Sequence, residues 1–237
     1  MKQFELTPRL NRIAQLVPEG ARIADIGTDH AYLPVYLLLQ GRVNSVIAAD
    51  INKGPLERAK VTAKAYDCTD QISFLLCDGL AQVKAEDADT IIIAGMGGET
   101  IAAILQAAPW LKYGKHFLIL QPMSAQEELR GWLWRNGFDL TQEDLVAEGE
   151  KLYNIFCVSY GGARPMTIGE EWAGRQWADL KQPLRSQYLD RLVQKLERAM
   201  EGIRKGSDTE NSARLADLTQ VHHAICQMKK EWDEWQR

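Results

Sequence analysis

The chain has 237 residues, 46% of them hydrophobic and 25% charged, and a formal net charge of −4. That is enough apolar material for one full core and a small appendage, while the acidic total offers no global attraction to a polyanion. Cys68, Cys77, Cys157 and Cys226 form no Cys-x-x-Cys pair and no Cys/His cluster, so neither a zinc site nor a disulfide framework is expected, and no metal.

No run reaches the roughly 18 apolar residues that span a bilayer, and Met1-Lys2-Gln3-Phe4 places no apolar run behind its positive charge. A cytoplasmic protein without a membrane partner, and monomeric, is the expectation. Thr7 and Pro8 then open a short helix, threonine as its cap and proline at the first helical position. β-rich apolar runs follow at 21–26, 45–50, 72–77, 90–94 and 116–121. Between them lie helical stretches at 33–39, 55–66, 99–107 and 125–136, the last with a Ser124/Glu127 capping box and Gly137 beyond its end. Near-continuous hydrophobic strands separated by helices predict a parallel sheet covered on both faces, a Rossmann-like α/β domain. Residues 138–146 and 153–160 read as two further strands whose short connection around Gly149 leaves no room for a crossover helix, so the sheet should finish antiparallel.

From about Arg164 the glycines and strands thin out. Leu189, Leu192, Leu196, Met200 and Ile203 recur at helical spacing, and Leu215, Leu218, Val221, Ile225, Met228, Trp232 and Trp235 repeat the pattern. Gly206 reads as a stop between the two helices and Ser207–Glu210 as a capping box for the second; Pro183 marks the entry to the first. The tail is therefore predicted to be an antiparallel helical hairpin, with domains at 1–162 and 163–237. Residues 163–237 hold 13 Lys/Arg against 12 Asp/Glu, which leaves 15 against 20 for residues 1–162. The acidity belongs to the first domain.

In an open parallel sheet the ligand lies beyond the carboxyl ends of the strands, where the strand order reverses. After the first strand comes Asp25-Ile26-Gly27-Thr28-Asp29-His30-Ala31, a single glycine in place of the Gly-x-Gly-x-x-Gly that cradles a dinucleotide pyrophosphate. Asp29 would repel a diphosphate and welcome a cationic methionyl group, which favours S-adenosylmethionine (SAM) over NAD. Asp50, 25 positions after Asp25, ends the second strand where an acid accepts ribose hydroxyls, with Ile51 beside it. Asp78-Gly79 follows the third, where a carboxylate and a backbone amide can read adenine. Gly95-Met96-Gly97-Gly98 follows the fourth, and its glycines let backbone approach a ligand closely.

The run from Asp25 to Pro34, Ala94-Gly95-Met96-Gly97-Gly98-Glu99 and the later Lys151-Leu152-Tyr153 resemble the bacterial tRNA (adenine-N1)-methyltransferase family that modifies adenine 22. The resemblance runs through residues 6–160 and implies a class I SAM-dependent fold and methyl transfer to a ring nitrogen of tRNA. It implies cofactor contacts from Asp25, Gly27, Thr28, His30, Asp50, Ile51, Asp78, Gly79 and Gly95. Met96, Gly97, Gly98, Gln121 and Pro122 are then candidates for the substrate side, and Asp29 for stabilising the base as it becomes cationic. The fourth strand carries no Asn/Asp-Pro-Pro-aromatic motif of the kind used on exocyclic amines, and adenine N1 already presents a lone pair, so positioning can supply most of the catalysis.

Plainer uses remain open for several of these residues. Asp29 can equally cap the helix that follows, His30 can orient its own loop, and Met96 can wall a base pocket or fill core. In the hairpin, Arg191, Lys195 and Arg198 share a helix face that can hold tRNA or simply face solvent. Trp172, Trp177, Trp232 and Trp235 are expected as packing anchors. A SAM-dependent enzyme with a small-molecule acceptor and a non-catalytic SAM-binding module are the competing functions.

Overall fold

The computed structural model describes residues 5–205 and 210–237. It divides into two compact units, Met1–Arg164 and Pro165–Arg237.

The first unit opens with α1 (Pro8–Leu16), where Thr7 accepts the N–H of Leu10 and Pro8 takes the first position. Strand β1 (Ala21–Ile26) follows, then α2 (Tyr32–Leu39), β2 (Val43–Asp50), α3 (Lys53–Ala65) and β3 (Ile72–Leu76). After these come β4 (Thr90–Gly97), α4 (Gly98–Gln106), β5 (Phe117–Ser124), α5 (Gln126–Arg135), β6 (Phe138–Glu148) and β7 (Lys151–Tyr160). All seven strands join one sheet in the order β3-β2-β1-β4-β5-β7-β6. The first five are mutually parallel, and β7 is antiparallel to both β5 and β6. Chain progression reverses between β1 and β4, which puts the crevice of such a sheet at their carboxyl ends.

Burial explains the strand order at the far side. Asn154 to Val158 of β7 are all buried, whereas β6 alternates buried and open positions, so β7 takes the inner place and β6 the edge. Ile91, Ile92 and Ile93 of β4 have no exposure, as a central strand requires. Helix α1 is tied to β6 by Arg12, which donates to Asp144 at 2.7 Å, and by the Arg9 backbone N–H, which donates to Glu148 at 3.1 Å.

Two helix starts differ from expectation. No Ser124/Glu127 capping box forms: Ser124 ends β5, and Ala125 precedes α5 with φ +52 and no side-chain cap. The cause is steric, since the Ser124–Ala125 backbone lies directly against Gly98, where any Cβ would meet the Ala125 carbonyl. Asp29 does not cap α2 either. Ala31 holds that position with φ +53 and no side-chain bond, and Asp29 is turned to another partner.

In the second unit α6 (Ile168–Ala173) begins at a capping box that the sequence contains but that was not expected there: Thr167 accepts the Glu170 N–H, and the Glu170 carboxylate accepts that of Thr167. The long helices are α7 (Arg185–Arg204) and α8 (Glu210–Trp235), with Pro183 just ahead of the first. Leu189, Leu192, Leu196 and Met200 of α7 and Val221, Ile225, Met228 and Trp232 of α8 are buried along one seam. The proposed Gly206 stop and most of the Ser207–Glu210 box lie outside the described residues. Trp177 and Trp235 are exposed rather than packed, at 51% and 39%: Trp177 lies in the irregular segment between α6 and α7, and Trp235 is the last residue of α8, beyond the buried stripe.

Candidate functional site

A cleft of about 320 Å³ opens at the β1/β4 reversal. Asp25, Gly27, Thr28, Asp29, His30 and Tyr32 line it from β1 and the turn into α2, Ala94 and Gly95 from β4, and Arg9 and Leu10 from α1.

Asp25 is buried, and that desolvation pushes its carboxyl from the ordinary 3.8 up to about 6, the neighbouring Thr28 hydroxyl pulling down and the Asp50 charge adding to the rise. No hydrogen bond of ordinary geometry reaches the Thr28 Oγ1, although it is buried. Asp50 is buried too; its Oδ1 accepts the Asn52 backbone N–H at 2.7 Å, and its second oxygen makes no bond among the described residues. Ile51, beside it, is 60% exposed. Past β3, Asp78 is exposed and Gly79 buried with φ +51, and a Cβ at Gly79 would meet Ile104 at 3.0 Å. A turn that is both left-handed and tightly covered calls for glycine there.

Asp29 has φ +43 and is open to solvent. Its Oδ1 accepts from Arg58 of α3 at 2.5 Å, and its Oδ2 lies 3.8 Å from His30 Nε2. His30 and Tyr32 stack with ring centroids 5.1 Å apart and planes within 4°, and Tyr32 is 45% exposed. The cleft therefore carries a flat aromatic lip next to a carboxylate.

On the β4 side Gly95 has φ +83 and open space where a side chain would stand. The Met96 side chain fills the space over Gly27, Gly97 is half-buried beside Ser124, and Gly98 is pressed on the Ala125 backbone. Gln121 and Pro122 are buried. The Gln121 Oε1 accepts from Gly95 N–H at 3.1 Å and from Arg9 Nη1 at 2.6 Å, while its Nε2 donates to the Pro122 carbonyl at 3.0 Å. Its amide is thus fully used inside the protein, as a brace for the Gly95 turn. Arg9 and Arg58 were missed from sequence because nothing local marks them. Arg9 reaches a partner 112 residues away and Arg58 one 29 residues away.

The hairpin cations divide in the second unit. Lys195 Nζ lies 5.4 Å from the centre of the Trp172 ring, exposed Arg198 donates through Nε to the Gln194 carbonyl of its own helix turn, and Arg191 is half-buried. Among the described residues no group of His, Cys, Asp and Glu is arranged to hold a metal ion, and no helix is long and apolar enough to cross a membrane.

Residues 6–156 match the family model described as a methyltransferase domain. The chain is 39% identical over 161 residues to the tRNA (adenine(22)-N(1))-methyltransferase of Bacillus subtilis, which covers 68% of each protein. The crystal structure of the B. subtilis m1A22 tRNA methyltransferase superposes with a TM-score of 0.87 at 31% identity, covering 96% of this chain and all of that one. A Streptococcus pneumoniae protein described as a putative tRNA (m1A22) methyltransferase, solved with S-adenosyl-L-methionine, gives a TM-score of 0.82 at 30% identity, covering 95% of this chain and 100% of that one.

Proposed function

This chain belongs to the methyltransferase-domain family and, within it, to the bacterial tRNA (adenine-22 N1)-methyltransferases, and on that premise we propose that it transfers a methyl group from SAM to N1 of adenine 22 in tRNA. The observation that carries the reading is the acid-rimmed cleft at the sheet's reversal. Asp25 and Asp29 line it and Asp50 ends the neighbouring strand, a set of acids that favours a ligand bearing a sulfonium and an ammonium, while Arg9 stands on the α1 side of the cleft.

The residues present fit that cofactor. Asp50 keeps one carboxylate oxygen free for ribose hydroxyls, with Ile51 beside it as an exposed apolar surface. Asp78 and the Gly79 turn suit adenine. Asp25, Gly27, Thr28 and His30 face the methionyl end, and Gly95 leaves open space opposite them. When bound, the cofactor supplies a methyl group on a sulfonium sulfur, open to in-line attack by a ring nitrogen. Adenine N1 brings its own lone pair, so no group of the chain has to remove a proton first. The chain's part is to orient and to stabilise. The His30/Tyr32 plane is suited to receiving a base, and Asp29 offers negative charge where the product base turns cationic, tempered by Arg58, which already holds one of its oxygens.

In the second unit we assign Arg198, Lys195 and Arg191 to the tRNA backbone, because the first domain is acidic and phosphates need cations. Nucleoside mass spectrometry of tRNA incubated with the protein and SAM tests the function: 1-methyladenosine is expected, gained only when position 22 is adenine. Methylation at another atom, or none, removes the assignment.

A further inference from the structure

Arg9 lines the cleft together with two carboxylates, Asp25 and Asp29, yet among the described residues it is paired with neither. Asp29 takes Arg58 instead. What holds Arg9 is neutral. Its Nη1 donates to the Gln121 amide oxygen at 2.6 Å, and its guanidinium lies 5.5 Å from the centre of the Tyr153 ring in β7. Gln121 is itself fixed by the Gly95 N–H and the Pro122 carbonyl, and the Arg9 backbone N–H is fixed on Glu148. The side chain is therefore held by Gln121 and Tyr153 and the Arg9 backbone by Glu148, and neither side-chain contact brings a negative charge to the guanidinium. Its Nε and Nη2 donate to nothing among the described residues. This also gives Tyr153, prominent in the Lys151-Leu152-Tyr153 run, a physical task.

A fixed cation without a counter-charge, in a cleft otherwise suited to cations, is matched to an incoming oxyanion. We propose that Arg9 is the oxyanion-binding residue of this cleft. Resting on the function proposed above, two sources of that oxyanion arise: the methionyl carboxylate of SAM and a phosphate flanking the target adenosine. Both accept N–H bonds from the planar edge of a guanidinium in the same way, so they are told apart by experiment.

The experiment compares parent, Arg9→Gln and Arg9→Lys by calorimetric titration with SAM and with decarboxylated SAM, and by tRNA binding across a salt series. Thermal melting verifies that each variant folds, and Arg9→Lys, which keeps the charge, serves if Arg9→Gln does not. If the carboxylate is the partner, Arg9→Gln weakens SAM roughly tenfold or more and leaves decarboxylated SAM unchanged. If a phosphate is the partner, SAM affinity holds while tRNA binding weakens and its salt dependence flattens by a slope of roughly 0.7–0.9. Equal weakening of SAM and its decarboxylated form with an unchanged salt slope would make Arg9 only a brace for Gln121 and overturn the proposal, as would no change in any titration. A parent protein that binds neither SAM nor tRNA overturns the function and this inference together, which keeps that failure distinct from losses confined to the variants.

Discussion

The two units place their functional groups by different rules. In the α/β unit the acids stand where sheet topology directs a ligand, at strand ends beside the reversal, and their environments are specific: Asp25 buried, Asp50 half-satisfied, Asp29 bound to Arg58. In the helical unit Arg185 is buried and held by the Gly174 carbonyl, but the three cations assigned to tRNA, Arg191, Lys195 and Arg198, stand outside the buried seam of α7. The acids of the first unit are defined by what surrounds them, those three cations of the second far less so. Substitutions should therefore give large and individual effects among those acids and their partners, and small, additive ones among the three cations.

The largest effect is expected at Arg130, which has no exposure, pairs with Glu143 and lies 4.9 Å from the Phe156 ring centre. Arg130→Met leaves Glu143 without its charge partner inside the β6/β7 face and should cost about 3–5 kcal/mol by chemical denaturation. A cost near zero would mean that even this unit tolerates its buried groups loosely.

Asp25 comes next, and its sign is opposite. Because its carboxyl is raised to about 6 in the folded chain against 3.8 unfolded, folding binds a proton between those values, and stability present below pH 3.8 is lost as pH rises through about 6. Asp25→Asn should therefore stabilise the ligand-free protein at pH 7, on the order of 2–3 kcal/mol, and leave it nearly unchanged at pH 4. The same variant should weaken SAM, since the cationic ligand is what compensates the buried charge. Melting curves at the two pH values check the first part, and equal shifts at both would contradict the assigned ionisation.

Asp50→Ala should weaken SAM by ~10-fold or more, given about 1.5–3 kcal/mol for hydrogen bonds to a charged group. Calorimetry showing parent affinity would take Asp50 out of the cofactor site. The smallest effects belong to the hairpin. Changing Arg191, Lys195 and Arg198 to Ala should flatten the salt dependence of tRNA binding by a slope of roughly 0.7–0.9 per cation lost and leave SAM affinity alone. The expected order within the three is set by what holds each: Arg198 most, Lys195 less because it rests on Trp172, and Arg191 least because it is half-buried. Parent affinity and slope in the triple variant would assign the hairpin to packing or protein association.

This division also explains what could be seen in the sequence. The places of Asp25, Asp50 and Asp78 at or near the ends of β1, β2 and β3 were legible because each falls near the close of a hydrophobic run, and one rule about parallel sheets makes such ends meaningful. The seam of α7 and α8 was legible from the recurrence of Leu189, Leu192 and Leu196. Arg9 was not, because its meaning depends on Gln121 and Tyr153, brought beside it only by the completed sheet. The Ser124/Glu127 box misled for the same reason: the local pattern was present, but close approach of Gly98 to the Ala125 backbone imposed another helix start. Trp235 shows the limit of periodicity, which marks a stripe and says little about its ends.

The inner position of β7 has a consequence for the order of folding. The edge strand β6 precedes it in the chain yet touches the sheet only through it, in a register running from Phe138↔Tyr160 to Glu148↔Lys151. Emerging from a ribosome, β6 finds no seat until the tight reversal at Gly149 has been made and β7 has followed. The two strands should then zip as a local hairpin and dock as one piece against β5, leaving the β5 edge bare until residue 160 has been synthesised. Helix α1, made first, waits longest for its partners, because Asp144, Glu148 and Tyr153 all lie on that late piece. The cleft thus acquires its arginine only when nearly all of the unit has left the tunnel.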